Sequence, residues 1–295
     1  MHSGAFKHHR RMQYLLIPIL LLFGCQFTET EPQASKEVIF KTKTTVLQPE
    51  GSSISSRFSP PSGYEREQLD ENSFGTYLSN LPLHPHGSEV HLFNGDLKYN
   101  QNAHAAVINM DVGTRDLQQC ADAVMRLRAE YLYEQKNYAD LHFNFTNGFK
   151  ASFDQWRKGK GIRISGNKVS WNSNSKNDAG YQSLRRYLTL VFSYAGTASL
   201  EKELKSKAIK DLNIGDIFIR GGHPGHTVIV VDKAVHKNGN FVFMLAQSYM
   251  PAQEIHVLKN PMNAGLSPWY SIDEIQTGLQ TPEYDFTTDQ LKTFD

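Results

Sequence analysis

The stretch from Leu212 to Tyr249 decides the fold, and it reads LNIGDIFIRGGHPGHTVIVVDKAVHKNGNFVFMLAQSY. It contains three apolar runs rich in β-branched residues, at positions 212–220, 226–232 and 241–247. Glycine, proline and asparagine separate these runs, which is the pattern of antiparallel strands joined by turns. We therefore predict three neighbouring strands of one antiparallel sheet.

His226 is the first residue of the second run and follows a loop of glycine and proline. If the last two strands form a hairpin centred between His236 and Lys237, His226 lies opposite Gln247, close enough for their side chains to touch. A side-chain amide beside an imidazole fixes the ring and its tautomer, a common arrangement in nucleophilic catalysis. The same pattern also fits a sheet-edge histidine with satisfied hydrogen bonds, and the sequence leaves both interpretations open.

The composition is that of a globular protein. Of 295 residues, 39% are hydrophobic and 21% are charged, and the formal net charge is +1. No long basic run follows the N-terminal region. This charge pattern argues against nucleic acid as the main partner. No motif indicates a cofactor.

The N-terminus has the layout of an export signal. A basic segment at 7–11 precedes an apolar segment at 15–23, which is too short to span a membrane as a stable helix. The segment Leu22–Cys25 resembles a bacterial lipobox, which implies that Cys25 is acylated and anchors the chain to a membrane of the cell envelope, at the outer membrane or facing the periplasm. An ordinary secretory signal is the alternative.

Composition divides the chain into three parts. Residues 1–25 form the lipoprotein signal peptide, and residues 26–56, rich in threonine, serine, glutamate, lysine and proline, form a flexible tether. Residues 57–295 form a single α+β domain. After lipidation of Cys25, Cys120 is the only thiol that remains.

Cys120 lies in the strongest helix prediction of the chain. Asp116 and Gln119 match a capping box, and the helix is expected to run to about Glu134. The residues that repeat at helical spacing are Leu117, Cys120, Val124, Leu127 and Tyr131. Cys120 is therefore either a small buried hydrophobe or a thiol whose pKa is lowered by the helix N-terminus.

Other segments give coarser predictions. Helices are predicted at 181–194 and 200–207, and a strand at 254–258. Residues 89–99 predict a hairpin with an Asn-Gly turn, and residues 157–177 predict an exposed loop that contains Trp171.

The order of these features resembles the NlpC-type and CHAP-type members of the papain-like superfamily. The matching residues are Cys120 at a helix start, the lead-in Gly215–Ile217, and the run Gly225–Val228 that contains His226. The resemblance implies an α+β fold in which an antiparallel sheet packs on a central helix that carries the cysteine, with helical insertions. It also implies that Cys120 is the nucleophile, that His226 is the base and that Gln247 orients the imidazole.

Three departures from that pattern concern the site. About ninety residues separate Cys120 from Gly215, more than a minimal member needs, and no aspartate directly precedes the cysteine. Gln118 and Gln119 adjoin the cysteine rather than lying several residues upstream. The oxyanion donors would then be the Cys120 backbone N–H and an unassigned group.

Over more of the chain, the sequence resembles Bacteroidota lipoproteins termed domain of unknown function 4846. The matching phrases are Asp116–Ala123, His142–Phe149, Pro224–His226 and Leu245–Gln253. This resemblance runs from about Phe58 to the C-terminus. It implies a cell-envelope lipoprotein and supplies no reaction.

Three functions compete at this point. The first is a cysteine hydrolase or acyltransferase that acts on amide bonds, with peptide or peptidoglycan as substrate by analogy with the NlpC-type group. The second is a catalytically silent module that binds peptide or glycan and stacks it on Trp156, Trp171 or Trp269. The third is a metal site at His223 and His226, which the spacing disfavours because no third ligand is visible.

Overall fold

The computed structural model describes residues 46–173 and 176–294. They belong to a compact unit that extends from Lys43 to Asp295. The signal peptide, the lipidation site Cys25 and most of the predicted tether lie outside the described residues. Within residues 46–173 and 176–294, none of the helices combines the length and the apolar character needed to cross a membrane.

Six α-helices occur among the described residues. They are α1 (Ile54–Arg57), α2 (Phe74–Ser79), α3 (Cys120–Glu134), α4 (Phe153–Arg157), α5 (Tyr181–Tyr194) and α6 (Thr197–Glu203). Short 3₁₀ helices span Ile209–Asp211 and Thr288–Gln290.

Fifteen strands accompany these helices in the described part of the chain. They are β1 (Tyr64–Glu65), β2 (His104–Val107), β3 (His142–Asn144), β4 (Lys150–Ser152), β5 (Lys160–Ser165), β6 (Lys168–Ser173), β7 (Lys205–Ser206), β8 (Ile217–Arg220), β9 (His226–His236), β10 (Phe241–Gln247), β11 (His256–Leu258), β12 (Tyr270–Ser271), β13 (Leu279–Gln280), β14 (Asp285–Phe286) and β15 (Leu291–Thr293).

The three strands predicted from the opening stretch form the middle of one antiparallel sheet. Its order is β2-β11-β10-β9-β8-β15-β7, and β1 and β12 add to β9 and β10. The β9–β10 hairpin turns at Asn238-Gly239, where Gly239 has a φ of 92°, a conformation that favours glycine. The α+β class with an antiparallel sheet is confirmed.

Strand β9 is buried on both faces, which explains why its sequence is a continuous apolar run. Ile229 and Val231 belong to a hydrophobic cluster that also contains the buried faces of α3 and α5. Val228 and Val230 belong to a second cluster, which includes six buried residues of the C-terminal segment 270–291. The helix that begins with Cys120 therefore packs on the first of these faces.

Helix α5 has the predicted bounds, whereas the exposed loop predicted at 157–177 is wrong. Most of that segment forms the hairpin β5–β6, which pairs Ile162 with Trp171. The Trp171 ring is half-buried and packs on Phe149 at 5.3 Å between centroids. The many glycine and asparagine residues favoured a loop prediction, but the segment forms a pair of strands that is stabilised by the contact between Trp171 and Phe149.

Three further boundaries differ from the predictions. Helix α6 begins three residues earlier than the predicted residue 200 and ends at Glu203. The segment 89–99 forms a turn with a single bridge, between His91 and Leu97, rather than a hairpin of two regular strands. The fold also includes the end of the predicted tether, because Ile54 is fully buried.

Candidate functional site

Cys120 is the first residue of helix α3. The N-cap is Gln119, whose backbone N–H donates to Asp122 Oδ2 at 3.1 Å. The predicted cap, Asp116, instead accepts from the Ala252 backbone N–H at 2.7 Å and from the Gln119 amide at 3.0 Å. The helix prediction was thus right in its end but wrong in its start. The backbone N–H of Cys120 consequently has no intrahelical acceptor.

The thiol of Cys120 is nearly enclosed, with the residue 6% exposed. Burial raises its pKa to about 11, although the backbone N–H groups of Ala121, Thr227 and Cys120 itself act in the opposite direction. The carboxylate of Asp122 contributes to the same rise of the Cys120 pKa. Desolvation therefore outweighs the helix N-terminus, contrary to the lowered pKa considered from sequence.

His226 begins β9 and is also buried, at 2% exposure. Its ring packs against Tyr249 and Tyr284, with centroids 4.7 and 5.0 Å away. Burial lowers the His226 pKa to about 4, although a hydrogen bond with Gln247 partly opposes the shift. The imidazole is consequently neutral at pH 7.

The His226–Gln247 contact forms, but through a register that differs from the predicted one. Strand β10 places Ala246 opposite Ile229, so Gln247 lies opposite position 228 rather than opposite His226. An offset of two residues keeps both side chains on the same face of the sheet. Diagonal neighbours on that face are within reach when both side chains are long.

Hydrogen bonds around Gln247 determine the tautomer of His226. His256 Nδ1–H donates to the Glu254 carbonyl at 2.9 Å, so His256 Nε2 carries a lone pair. The Gln247 amide nitrogen donates to that lone pair at 3.4 Å and to Glu283 Oε2 at 2.7 Å. Its oxygen therefore faces His226, whose Nε2–H donates to it at 2.8 Å.

This series of hydrogen bonds leaves a basic nitrogen, Nδ1, on the other side of the His226 ring. In neutral His226 with a proton on Nε2, Nδ1 has a lone pair and acts as an acceptor. A neutral imidazole with a fixed tautomer is the form that a general base requires. Gln247, His256 and Glu283 together orient the His226 ring, whereas a sheet-edge histidine with one satisfied hydrogen bond needs no such series of partners.

The two histidines are expected to show opposite tautomers in ¹⁵N NMR of histidine-labelled protein. His226 should carry its proton on Nε2 and His256 on Nδ1, and neither should titrate between pH 5 and 8, because burial lowers their pKa values to about 4 and about 3. Gln247→Leu removes the acceptor and should leave the His226 ring as a mixture of tautomers. The same tautomer in both rings of the wild type would contradict the chain of hydrogen bonds.

A cleft of about 300 Å³ opens beside the sulfur of Cys120. Its walls include the start of α3, the loop before β9 and the two tyrosines that cover His226. The residues that line it include Leu117, Cys120, Phe192, Tyr249 and Tyr284. The hydroxyl of Tyr284 donates to the Pro224 carbonyl at 3.3 Å, which ties this tyrosine to the loop.

Cys120 and the start of β9 are neighbours in space. The Thr227 backbone N–H, next to His226 in the chain, lowers the Cys120 pKa, and a thiolate at Cys120 raises the pKa of Tyr249. Among the described residues, no hydrogen bond joins the sulfur directly to the His226 ring. A separation of roughly 3 to 5 Å between them stays a prediction.

None of the three tryptophans lines the cleft. Trp269 is fully buried and donates from its indole nitrogen to the Ser59 carbonyl at 3.0 Å, so its assignment as a binding surface is wrong. Trp156 donates to Ser183 Oγ at 3.1 Å and lines a separate cavity. Aromatic content alone could not separate packing from binding.

The glutamines next to Cys120 have other partners. Gln118 Oε1 accepts from Arg126 at 2.9 Å, and the Gln119 amide nitrogen donates to Asp116. Gln118 does not line the cleft, and the Gln119 amide is engaged by Asp116, so neither side chain is placed as the oxyanion donor of the cleft. His223, considered as a metal ligand, lines the cleft, and residues 46–173 and 176–294 contain no cluster of three or more histidine, cysteine or acidic side chains suited to a metal ion.

Sequence reasoning missed Glu283, His256 and the two tyrosines. Glu283 lies far along the chain, between β13 and β14, and only tertiary packing brings it to Gln247. His256 could have been found, since it pairs with Gln247 across neighbouring strands. Tyr249 lies two residues beyond Gln247, just after the end of β10.

The model of the family described as domain of unknown function (4846) matches residues 54–293. The chain belongs to this family. The match begins at the first residue of α1 and includes Cys120, His226 and Gln247, so the whole cleft lies inside the family domain. No curated protein matches the chain, and no solved structure matches it.

Proposed function

We propose that this member of the domain of unknown function 4846 family is a cysteine hydrolase of papain-like type that acts on amide bonds. The observation that carries the proposal is the hydrogen-bond chain that fixes His226 as the Nε2–H tautomer. Nothing in the packing of the strand itself requires that tautomer. The cysteine at a helix start beside the same strand supplies the matching nucleophile.

In this proposal, Cys120 and His226 carry out a balanced acyl-transfer reaction. His226 Nδ1 accepts the thiol proton as the Cys120 sulfur bonds to the amide carbon, and the developing oxyanion meets the backbone N–H of Cys120. The imidazolium then donates its proton to the departing amine as the C–N bond breaks. Water, deprotonated by His226, hydrolyses the thioester and releases the acid and the free thiol.

The resting state in this proposal is a thiol beside a neutral imidazole. Burial favours both neutral forms, since it raises the Cys120 pKa to about 11 and lowers the His226 pKa to about 4. The thiol proton therefore passes to His226 only as the sulfur bonds to the amide carbon, without an ion pair that exists beforehand. This order of steps distinguishes the site from cysteine enzymes whose thiolate exists before binding.

A silent binding module is the second candidate. The 6% exposure of Cys120 favours it, because a sulfur that no substrate reaches is only a small buried hydrophobe. In this case the cleft between Tyr249 and the start of α3 would bind peptide or glycan without cleaving it. The two candidates differ in whether Cys120 forms a covalent bond.

Trapping of an acyl-enzyme separates the two. The protein is incubated with a library of peptide p-nitrophenyl esters, which acylate faster than amides, and is quenched in acid before mass spectrometry. A hydrolase should show an acyl adduct on the tryptic peptide that contains Cys120, and Cys120→Ser should show none under the same conditions. His226→Ala retains the thiol and should accumulate far less adduct. Absence of any adduct on the wild type would favour the binding module.

We also propose that the protein is a lipoprotein of the bacterial cell envelope, anchored through Cys25. The support is the basic segment 7–11, the apolar segment 15–23 and the lipobox-like Leu22–Cys25. A lipid anchor would present the cleft to peptide or peptidoglycan at the membrane surface.

Cys25→Ala should move the protein from the detergent phase to the aqueous phase in phase separation of whole-cell extracts. The acyl chains supply the membrane affinity, and the substitution removes their attachment point. The matched control is Cys120→Ala, which should partition like the wild type. Aqueous partitioning of the wild type itself would contradict lipidation.

A further inference from the structure

A second cavity adjoins the cysteine cleft. It has a volume of about 260 Å³ and lies between the segment 112–118 and helix α5. Leu117 and Phe192 line both the cavity and the cleft, so these two side chains form the wall between them. The cavity and the cleft are therefore adjacent, with only these two side chains between them.

The lining of this cavity is basic. Arg115, Arg185 and Arg186 contribute to it, and none of the described residues that line it is acidic. Arg185 Nη2 and Arg186 Nη2 bind the carboxylates of Asp111 and Asp178, each at 2.7 Å, but neither aspartate lines the cavity. In the described part of the chain, Arg115 forms no ion pair.

Two buried nitrogen donors of the lining residues have no partner among the described residues. They are Gln118 Nε2 and Arg185 Nη1. Gln118 is 2% exposed, and its oxygen is occupied by Arg126 Nη1 at 2.9 Å, so its amide orientation is fixed with the nitrogen as the unsatisfied end. Buried donors without acceptors are costly and uncommon in folded proteins. Both groups only donate, so the missing partner is an acceptor.

We propose that this cavity, here named the anion cavity, binds a carboxylate of the amide substrate whose scissile bond lies at Cys120. A guanidinium and an amide N–H match the two oxygens of a carboxylate, and the arginines supply the charge that favours its ionised form. The identity of the anion as a substrate group rests on the proposed hydrolase function. Binding of a carboxylate to the cavity is independent of that function.

Binding is tested by titrating the wild-type protein with N-acetylglycinate and with N-acetylglycinamide at constant ionic strength. The two probes differ in charge and hardly in shape, so the anion cavity should bind the first and not the second. Equal binding of both probes would overturn the proposal. Inorganic phosphate is a third arm, and a tighter affinity for phosphate than for the carboxylate would also overturn it.

Gln118→Glu is the decisive variant. It keeps an oxygen for Arg126 but replaces the unsatisfied donor with a second carboxylate oxygen, which repels an anion. The affinity for N-acetylglycinate should fall at least about tenfold, the effect of losing a hydrogen bond to a charged group. Gln135→Glu adds the same charge at an exposed position outside the anion cavity and should leave the affinity unchanged. An unchanged affinity in Gln118→Glu would overturn the assignment.

If Gln118→Glu does not fold, Arg185→Met provides the same test by removing the other unsatisfied donor. The outcomes also separate this inference from the hydrolase proposal. Carboxylate binding without any acyl-enzyme at Cys120 would leave the anion cavity standing and end the hydrolase. An acyl-enzyme that forms equally with acidic peptides and with their neutral amides would end the carboxylate assignment and leave the hydrolase standing.

Discussion

Replacing His226 with alanine is expected to slow the alkylation of Cys120 by iodoacetamide at pH 7 by about 100-fold, the lower range of a general base contribution. Burial raises the Cys120 pKa to about 11, so almost no thiolate exists at pH 7 without a base. In the wild type, His226 Nδ1 accepts the proton as the sulfur reacts. The variant loses this acceptor and reacts only through the rare free thiolate.

The pH profiles of the two proteins should differ in shape as well as in height. In the wild type, the rate should rise as His226 loses its proton near pH 4 and then stay level toward pH 11, because the reactive state requires one proton shared by the pair. In His226→Ala, the rate should rise tenfold per pH unit up to about pH 11. Rates measured by mass spectrometry of the Cys120 peptide at a series of pH values test this.

A merely buried thiol would behave differently. Its alkylation would follow denaturant concentration rather than pH, and His226→Ala would not change it. Tyr249→Phe is the matched control for packing on the imidazole, since it retains the ring that contacts His226. If Tyr249→Phe slowed the reaction as much as His226→Ala, the effect would lie in access to the cleft rather than in proton transfer.

Glu283→Gln is expected to lower the free energy of unfolding by about 3 kcal/mol at pH 7, which is the cost of leaving one charge of a buried ion pair without its partner. Glu283 Oε1 binds Lys98 Nζ, and the two side chains are 13% and 4% exposed. The substitution preserves the shape but leaves the ammonium of Lys98 without a counter-charge. Urea denaturation followed by circular dichroism measures the change.

The double variant Glu283→Gln with Lys98→Met provides the control. It removes both charges, so it should recover most of the lost free energy of unfolding. The single variant should also disturb His226, because Glu283 Oε2 is an acceptor that fixes the Gln247 amide. If the single variant lowers the free energy of unfolding by less than about 1 kcal/mol, the ion pair between Glu283 and Lys98 contributes no more than an exposed ion pair does.

The sequence determined the α+β class, the three central strands and the bounds of α5. These features depend on local order, namely apolar runs, turn residues and helical spacing, which a single sequence displays directly. It also identified Cys120, His226 and Gln247 as candidates, through the hairpin register that pairs His226 with Gln247 and through the resemblance to papain-like enzymes. The Asn238-Gly239 turn set the hairpin near its true position.

Tertiary structure decided the chemistry of those candidates. The pairing of Gln247 with His226 runs along a diagonal because the hairpin turns about Asn238 rather than between His236 and Lys237. A bulge between Met244 and Leu245 then places Gln247 opposite position 228, on the same face of the sheet as His226. The pKa of Cys120 is raised because the surrounding fold removes water from the sulfur, an effect stronger than that of the helix N-terminus. The tautomer of His226 depends on Glu283 and His256, which are distant from it in the chain. Solvation and long-range hydrogen bonds arise only when distant segments pack together, so the sequence shows the residues of the site and the fold determines their protonation.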